Sequence, residues 1–266
     1  MLWKPVWEPA LVLALAGMGA GCVADADDEE LVAAAATCGA ADAYAPFDGV
    51  ASTSGSVAAL PWRGYKTSYP NGRETFDSYA DGATIECAST KPALSHIDVT
   101  AGCLTAAVLG GGAYHRAHVD ATADGAFRAV ALGYAAGEVI KWTDQRTEYR
   151  FYYATASDGV LPGFKTFVRY RSEDDLYVAS WRLDGVVSIQ KKHCGVYTQL
   201  ATTHVGAPSP RAWHRMRFDA IGPKLSLYLD DRLVLTASSP TFSWGTVGIR
   251  IDGVTGTYLD DWRVFL

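Results

Sequence analysis

From about Thr84 to Leu266 the chain is a succession of short runs rich in Val, Tyr, Phe, Thr and Ile. Glycine-containing turns separate them, and none of it keeps a helical period. Side chains alternate across a strand with period two, so such runs read as β-strands and their close spacing reads as a sandwich. Fourteen candidate strands run from Ile85–Cys87 to Tyr258–Phe265. Two tight hairpins are legible, one at Asp184-Gly185 and one at Asp230-Asp231. The stretch 76–266, about 190 residues, is long enough for one continuous core. The expected fold is therefore all-β, a two-sheet antiparallel sandwich.

The amino terminus reads differently. Met1 to Pro9 carries one lysine, Lys4, offset by Glu8, and Ala10 to Ala20 is apolar and uncharged. That run is shorter than the roughly 20 residues a bilayer requires. With small residues at Gly19-Ala20-Gly21 it reads as a secretory signal peptide over residues 1–21. Cys22 directly after Ala20-Gly21 resembles the lipobox of bacterial lipoproteins, in which the cysteine is lipidated; Gly19 stands where that family usually has Leu. The resemblance implies export and a lipid anchor in the bacterial cell envelope, at the outer membrane or the cell surface. An ordinary cleaved signal followed by a chance cysteine is the alternative.

Residues 22–48 hold seven acids and no Lys or Arg. Val23 to Thr37 also lacks aromatics, so 22–48 reads as an acidic, flexible tether unable to bury a core. Residues 49–75 read as a loop-rich lead-in and 76–266 as the globular domain. The tether accounts for all of the net charge of −6, since residues 49–266 carry 22 Lys+Arg against 21 Asp+Glu. With no basic tail and no nucleic-acid motif, nucleic-acid binding is not expected.

With Cys22 lipidated, Cys38, Cys87, Cys103 and Cys194 remain. An even number in an oxidising compartment suggests two disulfides, and three pairings are open. Cys87 and Cys103 flank a strand-turn-strand stretch, which favours that bridge and leaves Cys38 with Cys194. No two cysteines have the spacing of a zinc site.

The stretches Phe164–Leu200 and Trp213–Leu266 resemble the concanavalin A-like/laminin G-like jelly rolls of bacterial carbohydrate-active proteins. The resemblance rests on Arg169-Tyr170, Leu176-Tyr177, Asp184-Gly185, Trp213, Tyr228-Leu229-Asp230, Gly245–Arg250 and Leu259–Val264, which occur in the family's order. Asp231 stands where the family's hairpin usually has Gly. The resemblance implies a jelly-roll sandwich. It says little about function, because this scaffold hosts lectins, lyases, glycosidases and adhesion modules.

Alternation places Arg146, Glu148 and Arg150 on one strand face, Arg169 and Arg171 on another, and Lys191 with His193 on a third. From Arg146 to Arg217 there are 11 Lys+Arg against six Asp+Glu. That excess would suit a groove for an anionic sugar, with Arg146, Glu148, Arg150, Arg169, Arg171 and Lys191 as ligand-binding residues. The same side chains would equally pair across strands on a solvated face.

Two strings are similar to alginate-lyase-type jelly rolls: Arg146-Thr147-Glu148-Tyr149-Arg150 and Gly195-Val196-Tyr197-Thr198-Gln199. That resemblance implies substrate binding by Arg146 and Arg150 and acid/base catalysis by Tyr197. The family's intervening Gln and His strand has no match, and Gln190 and His193 stand nearest, out of register. On the last strand Asp260, Trp262 and Val264 share a face, which sends Asp260 toward the core, where a carboxylate needs a partner. Similar domains hold a structural Ca²⁺ between such an Asp and the first strand, here around Phe76-Asp77; a hydrogen bond without metal would serve as well. His115 and His118, three apart, fall on opposite faces. Trp142, Trp181, Trp213 and Trp244 could stack on sugars, but core packing is the default for each.

The reading is an exported, lipid-anchored carbohydrate-binding domain for an extracellular polysaccharide, an acidic one if the basic excess lines a groove. A polysaccharide lyase on the same scaffold is the alternative, and a structural or adhesive surface lipoprotein the third class.

Overall fold

The computed structural model describes residues 73–77, 79–89, 97–109, 115–121, 125–131, 134–135, 138–139, 142–156 and 162–265. The expected signal peptide, the expected lipidation site Cys22, the expected tether and most of the expected lead-in lie outside them. Every regular element among the described residues is a strand.

The first are β1 (Arg73–Glu74), β2 (Thr84–Cys87), β3 (Ile97–Ala101), β4 (Cys103–Val108) and β5 (His115–Asp120). Next come β6 (Ala126–Ala131), β7 (Tyr134–Ala135), β8 (Glu138–Val139), β9 (Gln145–Tyr152) and β10 (Thr155–Ala156). A meander follows: β11 (Gly163–Tyr170), β12 (Leu176–Arg182), β13 (Val186–His193) and β14 (Val196–His204). A second meander is β15 (His214–Ile221), β16 (Lys224–Leu229) and β17 (Arg232–Ser238). The chain closes with β18 (Thr246–Asp252), β19 (Val254–Thr255) and β20 (Thr257–Phe265).

These strands build a two-sheet antiparallel jelly-roll sandwich. The nine-stranded sheet runs β17-β16-β15-β9-β20-β5-β4-β2, with β1 added to β20, and the seven-stranded sheet runs β14-β13-β12-β11-β18-β6-β3. All fourteen expected strands are present, with ends shifted by up to three residues. β3 was not expected, although Ile97, Val99 and Ala101 alternate along it.

Alternation sets the core. Along β9 every second residue is buried, so Gln145, Thr147, Tyr149 and Phe151 point inward while Arg146, Glu148, Arg150 and Tyr152 point outward. Phe151 stacks on Phe164 of β11 at 3.8 Å between centroids and meets Trp181 of β12 edge-on at 5.9 Å, joining the two sheets through aromatic rings. Each such ring stabilises the fold by roughly 1.5–3 kcal/mol through burial alone.

The hairpins follow their turn chemistry. Gly185 takes φ 84° between β12 and β13. At the β16–β17 turn Asp230 and Asp231 take φ 46° and 65°, the double left-handed geometry of a two-residue hairpin. Asp230 offsets its cost locally: one carboxylate oxygen accepts from Arg215 N–H at 2.8 Å and the other meets His214 Nδ1 at 2.9 Å.

Cys87 and Cys103 face each other across β2 and β4 and are disulfide-bonded, as their positions suggested. Cys194 is also disulfide-bonded, and its expected partner Cys38 lies outside the described residues.

Candidate functional site

The outer face of the nine-stranded sheet carries a lateral row of rings across four neighbouring strands. Tyr152 of β9 stands opposite Tyr258 of β20, which stands opposite His118 of β5. Trp213 immediately precedes His214, the β15 partner of Phe151, and so falls beside Tyr152. The rings touch in sequence: Trp213–Tyr152 at 5.8 Å, Tyr152–Tyr258 at 6.0 Å and Tyr258–His118 at 5.0 Å. All four are half-buried. With strands about 4.8 Å apart, the row spans roughly 14 Å.

One residue pair along the strands lies a second, charged row. Arg215, Arg150 and Asp260 are in cross-strand register on β15, β9 and β20, and Arg116 lies two residues before His118 on β5. Arg116 and Arg150 approach the same Asp260 oxygen, at 3.4 and 3.8 Å. Their guanidiniums also lie over the Trp213 ring, at 5.5 and 5.0 Å.

The position of Asp260 corrects the alternation argument. A β-bulge interrupts register between Asp260 and Arg263, with Asp261 at φ 55°. The extra residue reverses parity, so Trp262 and Val264 point to the core while Asp260 faces outward beside Arg150. Burial is the main influence on its carboxyl and pushes it above the ordinary value; Asp261 adds to this, and the charges of Arg116 and Arg150 only partly oppose it. These residues do not fit a Ca²⁺ site. The Asp260 carboxylate already faces two guanidiniums, and Asp77 is exposed to solvent.

Of the other residues expected in a binding groove, Arg146 and Glu148 share the outer face with Arg150. They are committed to neighbours: Arg146 to Asp219 at 3.0 Å and Glu148 to Arg263 at 3.3 Å.

Arg169 is not on a groove. It is 2% exposed, at φ 51° in a bulge of β11 that turns its side chain inward. Its guanidinium donates to the carbonyls of Phe242 (2.7 Å), Gly222 (2.6 Å) and Thr143 (3.3 Å), tying three loops together. The expectation that Arg169 and Arg171 share a ligand face is therefore wrong. Arg171 lies over Trp244 at 4.8 Å and Phe242 at 5.8 Å. Lys191 and His193 do share a side: Lys191 donates to Thr241 at 3.4 Å and His193 meets Phe242 edge-on at 5.4 Å.

The residues of the lyase resemblance do not converge. Arg146 and Arg150 lie on the nine-stranded sheet. Tyr197 and His193 belong to the seven-stranded one, where Tyr197 pairs with Lys192 and His193 with Val196. Adjacent cross-strand pairs point to opposite faces, so Tyr197 and His193 face away from each other. Tyr197 is 54% exposed, with the Lys192 ammonium over its ring at 5.3 Å.

Asp175 is buried and accepts from Cys194 N–H at 3.0 Å, with His193 Nδ1 at 2.7 Å. Asp175, His193 and Cys194 bring ligand-type atoms within 4.8 Å of one another. A metal there does not fit, because the Cys194 sulfur is tied up in a disulfide and supplies no thiolate.

Sequence reasoning missed Tyr152, Tyr258 and Arg116, weighed His118 only together with His115, and left Trp213 to the core by default. Trp142 and Trp181 are indeed buried, whereas Trp213 and Trp244 are half-exposed. Tyr152 was within reach, since it lies two residues beyond Arg150 on the same alternation.

No family model matches the sequence, and no curated protein matches it. Among solved structures, the chain is similar to a carbohydrate binding module, CBM66, from Bacillus subtilis. The two share 20% identity with a TM-score of 0.47, over 65% of this chain and 96% of that one. It is also similar to the winged bean acidic lectin complexed with methyl-α-D-galactose, at 11% identity and TM-score 0.46, over 73% of this chain and 97% of the lectin. A galectin of Caenorhabditis elegans, LEC-6, aligns at 16% identity and TM-score 0.37, over 55% and 99% of the two chains.

Proposed function

We propose that this protein binds an extracellular polysaccharide along the Trp213–Tyr152–Tyr258–His118 row. The observation that carries the reading is the row itself: four half-buried rings in lateral contact, three held on strands and Trp213 at the start of β15, bordered by guanidiniums. Flat aromatic faces accept the apolar faces of sugar rings, while arginine forks donate directional hydrogen bonds to ring substituents. A strand-borne row is also rigid, so a polymer ordering itself on it loses little to rearrangement of the protein.

The reading includes export with a lipid anchor at Cys22, the 22–48 tether holding the domain off the membrane. The Cys87–Cys103 disulfide supports an oxidising compartment. Mass spectrometry of the mature amino terminus tests the anchor, and a terminus other than an acylated Cys22 removes it.

Trp213→Ala tests the site. A buried tryptophan anchor is worth about 2 kcal/mol or more, so affinity for a polysaccharide selected on a glycan array should fall roughly thirtyfold. The melting profile should hold, since Trp213 is only half-buried. Unchanged affinity in a folded Trp213→Ala protein overturns the assignment.

A further inference from the structure

Resting on the reading of this face as a glycan platform, we infer that the row takes an internal stretch of one soluble, twisted polysaccharide chain, not a chain end and not a flat crystalline surface. Its direction is the first reason. The row runs across the strands, and cross-strand register continues it past His118 to Thr105 of β4 and Thr84 of β2. Thr105 is half-buried and Thr84 exposed, so two small hydroxyl side chains extend the His118 end. At the other end β16 stops at Leu229, opposite Met216, and the sheet does not continue the row beyond Trp213. The β16–β17 turn stands there instead, with the Asp231 side chain 74% exposed. A site for a chain end needs a wall against the terminal sugar, whereas this row runs on at one side and off the sheet at the other. From Trp213 to Thr84 it spans roughly 24 Å.

Spacing is the second reason. Strands set the rings about 4.8 Å apart, close to the repeat of an extended glycan chain, and the ring centroids lie 5.0 to 6.0 Å apart. Consecutive rings therefore meet consecutive sugars. Orientation is the third. Neighbouring ring planes differ by 49° between Trp213 and Tyr152, 68° between Tyr152 and Tyr258, and 64° between Tyr258 and His118. Each step between strands of a twisted sheet adds roughly 20–25° of rotation, so the mounts themselves turn along the row. A flat crystalline face can lie against one such ring, while a single chain whose sugars turn from one to the next can follow all four. Asp120 sets a polar contact beside them. It accepts the Thr105 hydroxyl at 3.0 Å and meets His118 Nδ1 at 3.1 Å, which leaves the Thr105 oxygen to accept from a sugar hydroxyl.

A length series tests this on the unmodified protein. Xylan, mixed-linkage β-glucan, polygalacturonate and alginate are titrated as soluble polymers, with microcrystalline cellulose and chitin as flat surfaces. The soluble polymer bound most tightly supplies oligosaccharides from the monosaccharide to the hexasaccharide. Affinity should rise about two- to tenfold with each sugar that gains a ring, the scale of one aromatic contact. It should level off between the tetrasaccharide and the hexasaccharide. Calorimetry should find the same number of sites per unit mass after the polymer is cut into shorter chains that still exceed the hexasaccharide. Trp213→Ala removes the terminal ring and should flatten the upper steps of the series.

Three results overturn this mode of binding and leave the platform: a monosaccharide that binds as well as the hexasaccharide, sites that multiply with the number of chain ends, or tighter retention on cellulose or chitin than on any soluble polymer. A series unaltered in a folded Trp213→Ala protein, or absence of binding to every polymer, surface and glycan on the array, removes the platform and this inference together. The series on the unmodified protein holds whether or not the variant folds.

Discussion

Arg169→Met separates a structural arginine from a ligand-binding one. The substitution keeps a similar stem and the backbone N–H, whose bond to Gln145 Oε1 at 2.7 Å survives. It deletes the guanidinium and with it three hydrogen bonds, to Phe242, Gly222 and Thr143 carbonyls. A buried acceptor left without its donor costs about 1–3 kcal/mol. Against this, the fold no longer buries a charge, and the nearby Asp144 side chain at 3.8 Å is half-exposed and readily solvated. The net loss should be about 3 kcal/mol. For a domain of this size each kcal/mol shifts the melting temperature by about 2–4 °C, giving a drop of roughly 6–12 °C. Urea denaturation followed by tryptophan fluorescence measures the loss, and glycan titration well below the variant's transition measures function. Binding should be unchanged. A variant that loses less than about 1 kcal/mol of stability while losing most of its glycan affinity would refute the loop-clamp role.

Three further expectations follow from particular contacts. The Cys87–Cys103 bridge closes a loop with a sequence separation of 16, so replacing both cysteines by Ala should cost about 3 kcal/mol by chain entropy; an unchanged urea midpoint would contradict this. Asp175 titrates below the ordinary carboxylate range. Burial alone would raise it, but the His193 side chain, the Cys194 N–H and the charges of His193 and Arg171 outweigh burial. Its folded value is thus depressed: its contribution is complete above the unfolded value near 4 and is lost as pH falls through the folded one. The stability difference between wild type and Asp175→Asn should therefore be flat at neutral pH and collapse in acid, and a difference that persists at low pH would refute it. Tyr197→Phe should change neither stability nor glycan binding, because its ring is exposed on the opposite sheet from the platform; a binding defect would relocate the site.

What the sequence determined by itself is local. Period-two alternation located strands such as β9 and sorted Arg146, Glu148 and Arg150 from Tyr149 and Phe151. Turn chemistry placed Asp184-Gly185 in a hairpin, and two cysteines flanking one strand-turn-strand predicted their own bridge. Alternation failed where a bulge added a residue. Arg169 turned into the core and Asp260 out of it because φ 51° at Arg169 and 55° at Asp261 reverse the parity that a regular strand enforces. The binding row was not legible for a different reason. Tyr152, Tyr258 and His118 belong to three strands and Trp213 directly precedes a fourth, all far apart in the chain, and they become neighbours only because β9 is seated between β15 and β20, and β20 against β5. Strand order in a sheet is set by how two whole sheets bury their apolar faces together, a long-range outcome that no single strand's pattern encodes.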